Sequence, residues 1–232
     1  MRAMILAAGR GERMRPLTDE LPKPLLCVGG RPLIHWHLQA LARAGVRDVV
    51  VNLAWRGARL RESLGDGAAW GLRIHFSDEG EQALETGGGI FQALPQLGDA
   101  PFLVVNGDIW TDHDFARLPA LPADATASLV LVPNPPQHLQ GDFTLTPAPD
   151  GDGRLITETA GAVRHTFAGI GIYRPGFFAG CQAGSFALLP LLRRAIAARA
   201  LRGTLYDGAW YDIGTPARLR ELDQRLASGG IG

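Results

Sequence analysis

A chain of 232 residues, 46% of them hydrophobic, is long enough for one well-packed α/β domain, with room for a small insertion. Its 23 Lys and Arg residues balance 23 Asp and Glu, so no basic field surrounds it to hold a nucleic-acid backbone, although a local cluster of donors can still take a small anion. The only cysteines, Cys27 and Cys181, lie far apart without metal-ligand spacing, which argues against a disulfide scaffold or zinc knuckle and suits a reducing compartment.

The first predicted element is a short buried strand, Ala3 to Ala8, an apolar run that ends at glycines. That run is too short for a signal peptide and gives way at once to arginines, and no later run approaches a membrane span, so a cytoplasmic protein is expected. Pro32 to Ala44 reads as a helix: Pro32 suits its first turn, Leu33, Trp36, Leu38 and Leu41 supply an apolar face, and Gly45 suits the exit. Then follow a strand at Asp48 to Leu53, a helix at Ala58 to Leu64, a strand at Leu72 to Phe76, a helix at Ile90 to Leu97 and a strand at Pro101 to Val105. This alternation predicts a layered sheet with helices on both faces, where ligands collect at the C-terminal ends of strands. The glycines after Ala8 and the triplet Asn106-Gly107-Asp108 stand at such ends.

After a strand at Thr126 to Val132 the pattern changes. Pro133 to Gly153 is rich in Pro, Gly and Asp, and Phe143 to Leu145, Leu155 to Glu158 and Thr166 to Tyr173 read as short strands. The expectation is a single domain over 1–232, with 133–175 an insertion or lid beside the main sheet. Phe186 to Ala200 and Pro216 to Leu226 read as helices, and Thr204 to Ile213 contains a short return strand.

Three features carry chemistry. The segment Leu6 to Thr18 leaves the first strand with Gly9 and Gly11 among Arg10, Arg13 and Arg15; glycines there let backbone N–H groups face phosphate oxygens. The pattern is neither a dinucleotide fingerprint, which needs Gly where Met14 stands, nor a Walker A loop. Lys23 sits between Pro22 and Pro24, which restrict the backbone around one cation. Asp108 ends a hydrophobic strand and Asp212 is embedded in Trp210-Tyr211-Asp212-Ile213-Gly214-Thr215. A carboxylate so placed is costly unless exposed, paired or metal-bound, and one or two of them with ligand phosphates suffice for Mg²⁺. Thr215 is better placed than Asp212 to cap the helix beginning near Pro216. The six histidines form no catalytic constellation, and Trp55, Trp70 and Trp110 read as packing groups.

Leu6-Ala7-Ala8-Gly9-x-Gly11-x-Arg13-Met14-x-Pro16-Leu17-Thr18 followed by Pro22-Lys23-Pro24 resembles the signature of the sugar-1-phosphate nucleotidylyltransferases, and Gly107-Asp108 and Trp210 to Thr215 resemble further elements of that family. The resemblance implies a Rossmann-like, GT-A-type α/β fold with a layered, mostly parallel mixed sheet and a small sugar-binding insertion. It implies that Gly9, Gly11, Arg13, Lys23, Glu81, Gly88 and Gly107 meet the nucleotide, and that Asn106, Gly141 and Glu158 meet the sugar phosphate. Asp108 and Asp212 would bind Mg²⁺, and Arg13, Lys23 and Asp108 would be catalytic. Glu158 is followed by Thr159 and Ala160, where the family more often has Lys-Pro.

Glu85 to Gly89, Val132 to Pro136 with Gly141-Asp142-Phe143, and Thr166 to Tyr173 are most similar to the branch that uridylylates N-acetylmuramate α-1-phosphate, with UTP as the expected nucleotide. The rivals are GTP with mannose 1-phosphate, dTTP or UTP with glucose 1-phosphate, a glycosyltransferase using Asp112-His113-Asp114, and a non-catalytic nucleotide sensor. Oligomeric state is not legible.

Overall fold

The computed structural model describes residues 1–148 and 154–229. In chain order the elements are β1 (Ala3–Leu6), β2 (Cys27–Val28), β3 (Arg31–Pro32), α1 (Leu33–Arg43), β4 (Asp48–Leu53), α2 (Gly57–Leu64), β5 (Arg73–Asp78), α3 (Glu85–Leu97), β6 (Phe102–Asn106), β7 (Ile109–Thr111) and β8 (Ala127–Val132). There follow β9 (Phe143–Pro147), β10 (Arg154–Thr157), β11 (Arg164–Tyr173), α4 (Leu189–Ala197), β12 (Leu201–Leu205), β13 (Trp210–Asp212) and α5 (Pro216–Ala227).

Among the described residues nine strands form one sheet in the order β5-β4-β1-β6-β11-β8-β12-β10-β9. The four strands from β5 to β6 are parallel, as the continuous apolar runs predict. From β6 onward the pairings are antiparallel except for β8 with β12, so parallel pairing dominates only the first half. Side-chain alternation explains why helices cover both faces. Ala3, Ile5, Val49, Val51, Leu103 and Val105 pack with α1 and α2 residues such as Ile34, Leu38 and Leu60. Their neighbours Met4, Val50, Phe102 and Val104 point the other way, against Ile90 and Leu97 of α3 and Leu192 of α4. A third cluster joins Met14, Val28 and Leu33 to Trp110, Ile213 and Leu222, and so seats α5 beside the small β7–β13 ribbon.

Two expected helix starts move, each for a packing reason. Helix α3 begins at Glu85, not Ile90, and takes in Gly87-Gly88-Gly89. Glycine costs about 1 kcal/mol in a helix relative to alanine, yet no other residue fits here: an added Cβ would lie 2.6 Å from the Phe186 ring at Gly87, 2.2 Å from the Gly184 carbonyl at Gly88 and 2.4 Å from a Glu79 carboxylate oxygen at Gly89. Gly88→Ala is therefore expected to destabilise the fold by about 1–3 kcal/mol, read from urea denaturation; an unchanged midpoint would mean the 184–186 segment is free to retreat. That segment also shortens α4, which starts at Leu189 and not at Phe186. The Phe186 backbone is committed to α3, donating to the Leu84 carbonyl at 3.2 Å and accepting from the Gly88 N–H at 3.1 Å. The stretch from Thr204 to Ile213 is divided between the end of β12 and β13.

The segment expected beside the main sheet is woven into it. β11 lies between β6 and β8 near the sheet's middle, while β10 and β9 continue the sheet beyond β12 and β9 also pairs back with β11. The expected Pro133 to Gly153 stretch is described only as far as 148, and 149–153 lie outside the described residues. What is seen of it is an ordered turn. Asn134 donates to the carbonyls of Leu139 and Arg164, Thr166 donates to Asn134, and Asp142 accepts from the Phe167 N–H at 2.8 Å.

Candidate functional site

The C-terminal ends of β1 and β6 open into a cleft of about 570 Å³ whose lining includes Gly9, Gly11, Arg13, Lys23, Gly107 and Asp108. Gly11 has φ +66, a conformation side chains disfavour, and an added Cβ would press on Thr18 at 3.1 Å and Lys23 at 3.2 Å. The loop is held in that shape. Thr18 Oγ1 donates to the Gly11 carbonyl at 2.8 Å, Trp55 Nε1 donates to the Thr18 carbonyl at 3.0 Å, and the Arg10 guanidinium lies 3.9 Å from the Trp55 ring centre. Trp55 thus fastens the glycine loop as well as packing. Arg13 is exposed at the cleft and forms no ion pair among the described residues.

Lys23 is only 7% exposed, and its Nζ donates to Asp108 Oδ2 at 2.7 Å. The Asp108 side chain is 40% exposed, so the pair has one buried and one solvated end. Gly107 lets β6 and β1 approach: its N–H donates to the Leu6 carbonyl at 2.9 Å, and an added Cβ would stand 2.6 Å from that oxygen. The chain then enters β7, which pairs antiparallel with β13, Ile109 opposite Asp212, and the Ile213 N–H donates to the Asp108 carbonyl at 2.9 Å. Asp108, which directly precedes β7, is thus brought to the end of the ribbon that holds Asp212, distant in sequence. Asp212 is bound by the Arg218 guanidinium, and Thr215 caps α5 by accepting from the Arg218 N–H. Beneath the ribbon, His37 of α1 is fully buried; burial pushes its pKa down to about 4, and its neutral ring bonds through Nε2 to the Ile109 carbonyl at 2.8 Å.

A network absent from the sequence expectations forms the cleft floor. Asn52 at the end of β4 accepts from the Ala7 N–H at 2.6 Å and donates to Glu79 at 2.6 Å, and Glu79 accepts from the Leu84 N–H at 2.7 Å. It links β1, β4 and the start of α3. The available signal was a polar Asn52 inside the run from Val49 to Leu53, all of it buried.

The other expected residues fall as follows. Asn106 lines the cleft and packs against Gly169, whose φ is +73, at a bulge in β11 between Phe167 and Gly171. Glu81 is exposed and outside the lining, where Glu79 and Glu85 stand instead. Gly88 is buried against the 184–186 segment. Gly141, with φ +58, closes the turn against Asn134, and Glu158 is held by Arg193 of α4 at 3.1 Å; neither lines the cleft. Asp112 accepts from the Tyr206 hydroxyl and Asp114 caps a short 3-10 turn through the Ala116 N–H, so both acids of Asp112-His113-Asp114 have structural partners.

Among the described residues no group of three or more His, Cys, Asp and Glu stands together as a metal cage. Asp108 lines the cleft, whereas Asp212, opposite Ile109 on the ribbon and held by Arg218, lies outside its lining; two such hard oxygen donors fit a magnesium-type site completed by phosphate oxygens and water. No helix of the described residues is long and apolar enough to cross a membrane.

A glycine loop, a buried lysine and an acid at a strand end meet at one cleft of an α/β sheet, an arrangement suited to phosphate oxygens, and the chain belongs to the nucleotidyl transferase family, whose model matches residues 2–144. A divalent metal serves catalysis in this family. Over 98% of both chains it is 51% identical to N-acetylmuramate α-1-phosphate uridylyltransferase of Neisseria meningitidis serogroup B, and 38% identical to the enzyme of that name from Caulobacter vibrioides over 97% of this chain and 96% of the relative. A mannose-1-phosphate guanylyltransferase of Mycobacterium tuberculosis is 37% identical over 57% of this chain and 38% of its own. The fold is shared with a putative glucose-1-phosphate thymidylyltransferase from Bacillus anthracis (TM-score 0.80, 17% identity, 97% and 95% coverage) and with HddC from Yersinia pseudotuberculosis (TM-score 0.76, 19% identity, 97% and 99% coverage).

Proposed function

We propose that the chain transfers UMP from UTP to N-acetylmuramate α-1-phosphate, giving UDP-N-acetylmuramate and pyrophosphate. The observation that carries the reaction type is the meeting of the glycine loop, buried Lys23 and Asp108 in one cleft. Full-length similarity to the Neisseria uridylyltransferase supports the choice of substrates.

An oxygen of the sugar phosphate is already anionic near neutral pH, so it attacks the α-phosphorus directly. A new P–O bond forms there as the bond to the β-phosphate breaks and pyrophosphate leaves in line. The protein supplies no general base in this scheme. Its task is to bring two anions together and to stabilise charge on the leaving group. The Gly9–Gly11 loop and Arg13 receive the triphosphate, Lys23 bridges phosphates at the reacting centre, and Asn52 and Glu79 hold the base side of the cleft in shape. Mg²⁺ held by Asp108 and Asp212 would neutralise phosphate charge and orient the α-phosphate. Asn106, which lines the cleft beside the β11 bulge, stands on the proposed sugar side, with Gly141 and Glu158 outside the lining itself.

The test is a matrix of nucleoside triphosphates against sugar 1-phosphates with pyrophosphate release as the signal. UTP with N-acetylmuramate 1-phosphate is expected to give the highest kcat/KM. Activity for another pair with none for this one would reject the assignment, and transfer of sugar from a preformed nucleotide sugar without pyrophosphate would favour a glycosyltransferase.

A further inference from the structure

The β7–β13 ribbon forms a separate two-stranded sheet outside the nine-stranded one, yet it holds Asp212 and directly follows Asp108, the two acids proposed to bind the metal. Its position against the glycine loop and Lys23 must therefore be set by anchors beyond its own ladder. On β13 the side-chain anchor is Trp210, whose Nε1 donates to the Ala168 carbonyl at the β11 bulge, 2.8 Å away. On β7 it is His37, whose Nε2 lies 2.8 Å from the Ile109 carbonyl. A carbonyl only accepts, so the ring donates from Nε2. Ile109 directly follows Asp108 and stands opposite Asp212. One hydrogen bond from a helix of the main body thus fixes the backbone beside the first acid and across from the second.

We propose that His37 is a positioning residue for the transfer reaction: its bond to the Ile109 carbonyl sets the ribbon at the depth where Asp108 meets Lys23 and the nucleotide phosphates. The inference rests on the reading of Asp108 as a metal ligand. A misplacement of about 1 Å at a reacting centre costs on the order of 10²-fold in rate, so a single buried anchor is enough to matter. An ordinary buried histidine would contribute to stability alone, and the two roles separate experimentally.

His37→Met removes the donor while keeping an apolar side chain of moderate size, and His37→Gln returns an amide N–H near the place of Nε2. Both are made in the wild-type and Asp108→Asn chains. The readouts are kcat, KM for UTP, and the affinity for Mn²⁺ in the presence of UTP by paramagnetic resonance of the free ion, with folding checked by circular dichroism. His37→Met is expected to lower kcat and Mn²⁺ affinity by about 10-fold or more with KM for UTP little changed, and His37→Gln to recover most of the loss. In the Asp108→Asn chain the same Met substitution changes kcat by less than about twofold, because the group it acts through is gone.

The proposal is overturned by a folded His37→Met chain with normal kcat and Mn²⁺ affinity, by equal losses in both backgrounds, or by a Gln variant no better than Met. Should the Met chain not fold, His37→Asn, whose shorter amide does not reach the place of Nε2, stands in for it: a loss of about tenfold in Mn²⁺ affinity that the Gln variant does not share supports the anchor, and near-normal affinity in both overturns it. Normal turnover and Mn²⁺ binding by Asp108→Asn itself would bring down the metal reading and this inference together, an outcome distinct from an impaired Asp108→Asn beside an unimpaired His37→Met.

Discussion

Replacing Asp108 with asparagine is expected to lower kcat by roughly 10²–10³-fold while leaving the fold nearly as stable as before. The amide has the shape of the carboxylate but not its charge, so it is a poor ligand for a hard divalent cation and a weaker partner for Lys23. The stability cost is small for reasons visible in the site. The Asp108 side chain is 40% exposed, and an asparagine oxygen still accepts a hydrogen bond from Lys23, so the buried ammonium is not stranded. A loss of about 1 kcal/mol, equivalent to about 2–4 °C in melting temperature for a chain of this length, is the expected scale. The measurement pairs pyrophosphate release at saturating Mg²⁺ with a calorimetric melt. Near-normal turnover in a folded variant would show that Asp108 is only the counter-ion of Lys23.

The parallel half of the sheet was legible because its strands are continuous apolar runs: Val49 and Val51 face one helix layer and Val50 the other, so each strand is buried on both faces. The glycine loop and Lys23 were legible because their residue types are unusual for the positions they hold. What local sequence conceals is pairing between distant segments. Nothing in Trp210 to Thr215 announces that β13 zips onto β7, which brings Asp212 opposite Ile109, the residue after Asp108. The Asn52–Glu79 link is hidden for the same reason, since each residue alone reads as a polar group near a strand end. Glycine misled in the opposite direction. The helix was expected to start only at Ile90, whereas Gly87 to Gly89 lie inside α3, where close contact with Phe186, Gly184 and Glu79 requires their lack of a side chain. The 133–175 segment read as an addition because its turns are dense in Pro and Gly; β11, the strand that follows them, is nonetheless central, between β6 and β8.

Lys23→Ala is expected to reduce kcat by about 10²-fold or more, comparable to deleting one preorganised donor at a centre of developing charge. The lysine has a second role that the alanine variant alone would confuse with the first. Its stem packs on the glycine loop, where Gly11 approaches its Cβ and Cδ, and its Nζ reaches Asp108 at 2.7 Å. Loss of packing and loss of charge therefore arrive together in Lys23→Ala. Lys23→Met separates them, since an unbranched apolar chain keeps the loop contact and omits the ammonium. If the charge at the phosphates is what matters, Met restores the melting temperature and leaves kcat as low as Ala does. If the stem merely shapes the loop, Met restores both. Asp108 provides the cross-check. Because Lys23 and Asp108 touch, their effects should not add: the Lys23→Met, Asp108→Asn double variant should be little slower than the worse of its parents. A fully additive loss would mean that each meets the substrates independently, and the 2.7 Å contact would then be incidental to the reaction.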